Sequence, residues 1–156
     1  MKAISDKLFY FVKILTLIVI TVMTLSAFLQ VIFRYVLEYP LIWTEEIARF
    51  MFVWLTFLGS AAAIRTKNHI AMDLLVNKFP KKMQKSVNML ALVIFLGFCL
   101  LLIKQGIFLT ATNMEQTSDA LGIPMGFPYL AIPVGSALMA FFILEDMLNL
   151  YRKEAK

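Results

Sequence analysis

Four long runs of apolar residues set the strongest limit on how this sequence can fold. They cover about residues 8–33, 47–64, 87–103 and 128–150. About 20 helical residues cross the roughly 30 Å hydrocarbon core of a bilayer, and each run approaches or exceeds that length. Of the 156 residues, 61% are hydrophobic and only 16% are charged. We therefore expect an all-α membrane protein, folded as a single four-helix transmembrane domain over residues 1–156.

The basic residues predict how the spans are oriented. Twelve of the fifteen lysines and arginines lie at the N-terminus, between the second and third runs, or after the fourth. Because positive loops stay in the cytoplasm, we expect both termini to be cytoplasmic. The first run is longer than the roughly 7–15 apolar residues of a cleaved signal peptide, so we expect a retained anchor. The net charge of +5 reflects these loops, and we expect no nucleic-acid partner.

The connection over residues 65–86 has the pattern of a short amphipathic helix. His69, Asp73 and Asn77 recur at every fourth position, apolar residues fill the opposite face, and Pro80 ends the pattern. Such a helix lies in the membrane interface, where lysines meet anionic headgroups. The residues expected to contact lipid there are His69, Asp73, Lys78, Lys81 and Lys82.

The sequence contains none of the motifs that would indicate an enzyme, a metal site or a bound cofactor. It has one histidine and one cysteine, too few for a protein site of three soft metal ligands. The first and third runs contain no Asp or Glu, so no carboxylate relay crosses the membrane. Glu145 and Asp146 lie near the cytoplasmic end of the fourth run, where they can pair with the lysine-rich connection.

Two adjacent glutamates at the start of the second run form the main candidate site. Arg49 follows Glu45 by four residues and Glu46 by three, so both can reach it along a helix. Thr44 is a candidate N-cap, which would place both carboxylates in the first turn. Three interpretations remain open. The charges mark a helix start, they form an inter-helix clasp with Arg34, or they belong with Trp43 to a surface that binds a partner.

Small residues and proline mark two further features of the spans. In the fourth run, Pro133 and Gly135 predict a kink in the outer third. In the second run, small residues spaced by four allow close helix packing, and the pairs are Thr56 with Ser60 and Gly59 with Ala63.

Several stretches together resemble the small membrane subunit of tripartite ATP-independent periplasmic (TRAP) transporters. The segment "ALGIPMGFPYLAIPVGSALM" resembles the approach to the fourth helix of that family, although Gly126 stands where an aromatic residue is expected. The other matching elements are Phe33-Arg34-Tyr35, Trp43-Thr44-Glu45-Glu46, Arg49, Trp54, Phe57-Leu58-Gly59, Arg65, His69-Ile70 and Asp73.

The resemblance implies a non-catalytic scaffold subunit in the inner membrane of a bacterial cell. Its partners would be a large multi-span transport subunit, a periplasmic substrate-binding protein and membrane lipids. Together they would import organic acids, such as dicarboxylates, sialic acid or other sugar acids, by symport with sodium. The alternative is a self-contained four-helix exporter acting as a homodimer. That class usually needs an acidic residue in its first helix, and the first run has none.

Overall fold

The fold is known from a computed structural model that describes residues 2–66 and 81–152. Four of its helices are long and apolar enough to cross a membrane, as the sequence predicts. The expected interfacial helix falls largely on residues 67–80, outside the described residues, with His69, Asp73 and Lys78. Lys81 and Lys82 open the third long helix. The helices are α1 (Lys2–Tyr35), α2 (Ile42–Arg65), α3 (Lys81–Thr112), α4 (Gly126–Tyr129) and α5 (Ala131–Arg152).

Each long helix extends beyond its apolar run, because helical structure continues past the part that spans the hydrocarbon. In α2 this moves the start to Ile42, with Leu41 in an extended conformation as the N-cap residue. The expectation that Thr44 is the N-cap is therefore wrong. Thr44 lies inside the first turn, where its hydroxyl donates a hydrogen bond of 2.6 Å to the carbonyl of Leu41.

The long helices pack as an open row rather than as a closed bundle. In that row α1 packs on α2, α2 on α5, and α5 on α3, and near its N-terminus α1 also reaches α5 through Ser5. Within the most apolar stretch of each helix, half of the α5 residues are buried, against 11% in α1 and 6% in α3. The row therefore has a buried centre at α5 and two helices that present most of their apolar surface to lipid or to other chains.

Two glycines allow α5 to lie against both of its neighbours. A Cβ atom on Gly135 would lie 2.5 Å from the Cβ of Phe57 in α2. A Cβ atom on Gly106 in α3 would lie 2.8 Å from the Cδ of Pro133. Side chains at these positions would push the helices apart, so both contacts require glycine.

The predicted kink corresponds to a break at Leu130, which separates α4 from α5. Pro133 has no N–H group to donate to the carbonyl of Tyr129, so the helical hydrogen bonding is interrupted there. The small-residue pairs of α2 do not bring it into comparably close contact with another described helix of the chain. Space is open around Gly59, and the buried residues at that end of α2 are Leu58, Ala61 and Ile64.

A polar cluster joins three helices at the end of the row that carries the N-terminus, which we call the terminus end. Arg65 in α2 lies 2.7 Å from the carboxylate of Asp6 in α1 and 3.7 Å from that of Glu145 in α5. Ser5 donates a hydrogen bond to Glu145, whose side chain is 6% exposed. Among the described residues, Glu145 thus pairs with Arg65 and Ser5. We infer that this cluster fixes α1 and α5 against α2.

Replacing Arg65 by Met should lower the free energy of unfolding by about 3 kcal/mol, because it leaves the Glu145 carboxylate buried without its cation. Chemical or thermal unfolding in mild detergent measures the change. Arg49→Met is the matched control, since that guanidinium is 71% exposed and its loss should cost less than about 1 kcal/mol. Equal losses in the two variants would contradict a structural role for the cluster.

Replacing Gly135 by Ala should destabilise the protein by roughly 1–3 kcal/mol, because the added methyl group meets Phe57 and separates α2 from α5. Gly59→Ala is the control, since no atom lies within 4 Å of its Cβ position. That change should be neutral or should stabilise the helix by up to about 1 kcal/mol. The same unfolding measurement compares the two variants, and a stable Gly135→Ala protein would refute the contact.

Candidate functional site

The candidate site lies at the opposite end of the row, which we call the loop end because it carries residues 36–41 and 113–125. Glu46 of α2 is only 9% exposed there. One oxygen of its carboxylate accepts hydrogen bonds from the backbone N–H groups of Ala120, at 3.2 Å, and Leu121, at 2.9 Å. Hydrogen bonds to a charged acceptor are the strong ones, so Glu46 ties the 113–125 loop to α2.

The 113–125 loop folds back on itself, as its glycine and proline content predicts. The N–H of Ser118 donates to the carbonyl of Ile123 at 2.9 Å, and the N–H of Met125 donates to the carbonyl of Gln116 at 2.8 Å. Gly122 supplies the left-handed backbone at the turn, with φ of 65°. These bonds satisfy the backbone locally and make the loop a compact element rather than a loose connection.

Gly126, where the family resemblance predicts an aromatic residue, closes this loop against α3. A Cβ atom there would lie 2.6 Å from the sulfur of Met114 and 2.9 Å from the carbonyl oxygen of Thr110. The N–H of Gly126 also donates to the carbonyl of Asn113 at 3.0 Å. In this chain Gly126 therefore packs closely against α3, and a larger side chain at this position would prevent that contact.

Glu45 has different contacts from Glu46. It lies 3.2 Å from Arg49, and its other oxygen accepts a 3.4 Å hydrogen bond from Gln30 in α1. The Glu45 and Arg49 side chains are 51% and 71% exposed, so this pair contributes little to stability. Adjacent residues of a helix point about 100° apart, which is why one glutamate faces α1 and the other faces the loop.

The remaining predicted residues lie apart from these contacts. Arg34 makes no ion pair with the described residues, and its guanidinium lies 5.9 Å from the ring of Tyr35. Trp43 is 40% exposed. Sequence reasoning missed Gln30 as the α1 partner of Glu45. It also missed the two loop N–H groups that bind Glu46, because backbone donors in a distant loop leave no residue-type signal.

A cleft of about 460 Å³ separates α2 from the 113–125 loop. Glu46, Arg49 and Phe50 lie on its α2 side, and Ser118 and Tyr129 lie on the other. The Ser118 hydroxyl is buried and has no hydrogen-bond partner among the described residues. The cleft has room for a partner side chain, and the described part of the chain brings no metal-binding group of His, Cys, Asp or Glu together.

The loop end carries an excess of negative charge, although the chain as a whole has a net charge of +5. Its guanidinium groups are those of Arg34 and Arg49. Opposing them are the carboxylates of Glu38, Glu45, Glu46, Glu115 and Asp119.

Comparison with known proteins identifies the family. The model described as "Tripartite ATP-independent periplasmic transporters, DctQ component" matches residues 23–153. The chain belongs to this family. The TRAP resemblance seen in the sequence is thereby confirmed. Members of the DctQ family are transport components rather than enzymes, and with four helices able to cross a membrane this chain is a multi-pass protein of the bacterial inner membrane.

Three relatives show how the DctQ segment is used in different proteins. A putative TRAP transporter small permease protein of Haemophilus influenzae is 28% identical, over 92% of both chains. The C4-dicarboxylate TRAP transporter small permease protein DctQ of Rhodobacter capsulatus is 33% identical over 67% of this chain and 47% of its own length. The isethionate TRAP transporter permease protein DctMQ of Oleidesulfovibrio alaskensis is 32% identical over 76% of this chain, but the match spans only 20% of that longer protein.

Replacing Glu46 by Ala should release the 113–125 loop, because two backbone N–H groups lose their acceptor. We expect hydrogen exchange at Ala120 and Leu121 to rise at least about ten-fold, since local opening exposes both amides. Glu45→Ala is the matched control and should leave these amides protected. Exchange that is equal in the two variants would show that Glu46 does not hold the loop.

Proposed function

We propose that this chain is the small scaffold subunit of a sodium-coupled importer of organic acids. The large subunit would hold the sodium and substrate sites, and a periplasmic binding protein would deliver the acid. The observation that carries this proposal is the open row of helices in a chain of the DctQ family. A row encloses no pathway, and its two end helices leave most of their apolar surface uncovered by the chain itself.

The placement of the acidic groups supports a scaffold rather than a transporter in its own right. Within the described residues, carboxylates occur at the terminus end and at the loop end, and the middle of each span has none. Proton or ion coupling through a membrane normally uses carboxylates in the bilayer interior. A self-contained exporter would therefore lack the groups that it needs.

The loop end would face the periplasm, and both termini would face the cytoplasm. The distribution of lysine and arginine supports this orientation through the positive-inside rule. The 113–125 loop, held by Glu46, would then present the acidic residues Glu115 and Asp119 to the arriving binding protein. Charge at such a surface steers encounter and sets partner choice more than it sets affinity.

The cargo would be an anionic organic acid. Isethionate and C4-dicarboxylates appear in the names of two relatives, and both are small organic anions. Sialic acid and other sugar acids belong to the same chemical class. Because the cargo would be held by the other two proteins, the residues of this chain do not distinguish among these acids.

Reconstitution of this chain in liposomes with its large permease and binding protein tests the proposal. With an inward sodium gradient, the complete system should take up one of the labelled acids, and omission of this chain should abolish uptake. Unchanged uptake without the chain would overturn the scaffold role. Proton-driven efflux by the chain alone would establish the exporter instead.

The same assay separates the two glutamates. Glu46→Ala should lower uptake at least about five-fold, because the loop that it holds is the proposed docking element. Glu45→Ala should have a smaller effect, since its partners Arg49 and Gln30 lie at an exposed position. Equal uptake by both variants and the native protein would show that the two glutamates serve only as charges at the start of α2.

A further inference from the structure

The cleft between α2 and the 113–125 loop changes from polar to apolar along its depth. At the loop end its walls carry Glu46 and Arg49 of α2 and Asp119 of the loop. Deeper in the row they carry Val53 of α2 and, opposite it, Pro128 of α4. Val53 lies seven residues beyond Glu46, or about 10 Å at the rise of an α-helix. A cleft with this gradient matches an amphiphile that lies along the membrane normal.

The polar part of the cleft lies where the membrane surface meets α2. Glu46 directly precedes the apolar run of residues 47–64, so it stands at the boundary of the hydrocarbon. The Arg49 guanidinium lies 3.2 Å from Glu45, which is one turn closer to the loop end, so its charge is held toward the membrane surface. Phospholipid headgroups occupy this level around a membrane protein. A phospholipid therefore reaches this cleft from the bilayer itself.

Polar groups of the cleft have bonding capacity that the described part of the chain does not use. One oxygen of the Glu46 carboxylate binds the two loop N–H groups, whereas the other accepts no hydrogen bond from a described residue. Ser118 lines the cleft, is 4% exposed, and has a hydroxyl without a partner among the described residues. Buried polar groups in proteins normally have partners, so these groups favour a polar ligand.

The charges of the cleft select the kind of headgroup. Its lining contains one cation, Arg49, and two carboxylates, Glu46 and Asp119. A guanidinium binds phosphate through paired donors, and a carboxylate accepts hydrogen bonds from a primary ammonium. Because the carboxylates outnumber the cation, a headgroup with a net negative charge and a free organic acid are both disfavoured. A headgroup with one phosphate and one primary ammonium matches both signs of charge.

We propose that this cleft binds an ethanolamine phospholipid at the surface of the bilayer. Arg49 binds the phosphate, Asp119 and the second oxygen of Glu46 bind the ammonium, and the acyl chains follow the apolar wall past Val53. The lipid then joins α2 to the 113–125 loop in addition to the hydrogen bonds of Glu46. This inference does not depend on the proposed function, because the chain lies in a bilayer whether it acts as a scaffold or as an exporter.

Photocrosslinking of the full-length chain in mild detergent tests the inference. The probe is a phosphatidylethanolamine with a photoreactive group on its acyl chain close to the headgroup, and mass spectrometry of peptides locates the crosslinks. We expect them on residues 49–53 and 125–129. Unlabelled phosphatidylethanolamine should compete at a concentration at least about five-fold lower than phosphatidylcholine or phosphatidylglycerol, since choline has no N–H donor and phosphatidylglycerol adds negative charge.

Substitutions of the lining charges connect the crosslinks to the cleft. Arg49→Gln and Asp119→Asn should each lower crosslinking there at least about five-fold, because each removes a charge-assisted hydrogen bond to the headgroup. Arg34→Gln and Glu115→Gln are the matched controls, since both residues are exposed charges of the loop end that do not line the cleft. Without added lipid, thermal unfolding of all four variants should resemble that of the native chain, which separates lost binding from lost folding.

Four results would overturn the proposal. The first is a set of crosslinks spread evenly over the spans, and the second is equal competition by the three phospholipids. The third is equal crosslinking in the cleft variants and their controls. The fourth is displacement of the probe by water-soluble glycerophosphoethanolamine or by a C4-dicarboxylate as effectively as by the phospholipid, because it would assign the cleft to a soluble ligand.

Discussion

The fold depends on the ability of α5 to lie within backbone distance of both α2 and α3. Helices in a bilayer gain little from the hydrophobic effect when they associate, because lipid tails are as apolar as their side chains. Close packing must supply the attraction, and Gly135 and Gly106 make it possible on the two sides of α5. The polar contacts of the chain then hold this arrangement at its two ends, with Arg65 and Glu145 at one and Glu46 at the other.

The two ends use buried carboxylates in different ways. Glu145 is matched by an arginine side chain and a serine hydroxyl, so it joins helices to one another. Glu46 is matched by backbone N–H groups, so it joins a helix to a loop. The first arrangement stabilises the transmembrane domain, whereas the second sets the shape of a surface. This difference is why we assign the partner-facing role to the loop end.

The sequence predicts the four spans well because long apolar runs have few alternatives in a bilayer. It predicts the pairing of Glu45 with Arg49 for a similar reason, since spacing along one helix determines that contact. The start of α2 and the partners of Glu46 and Glu145 depend on contacts with distant parts of the chain, and local patterns do not encode those.

Beyond the terminus end, where Ser5 of α1 reaches Glu145 of α5, each long helix packs mainly on its neighbour in the row, and this has a mechanical consequence. Along the membrane normal the row is as stiff as the helices themselves, whereas across its thin direction only the contacts between neighbouring helices resist bending. Such a row can follow the curvature of a larger protein beside it while every helix stays folded. The open arrangement of α1, α2, α5 and α3 thus allows the chain to lie along an extended side of a larger neighbouring protein and to support it there.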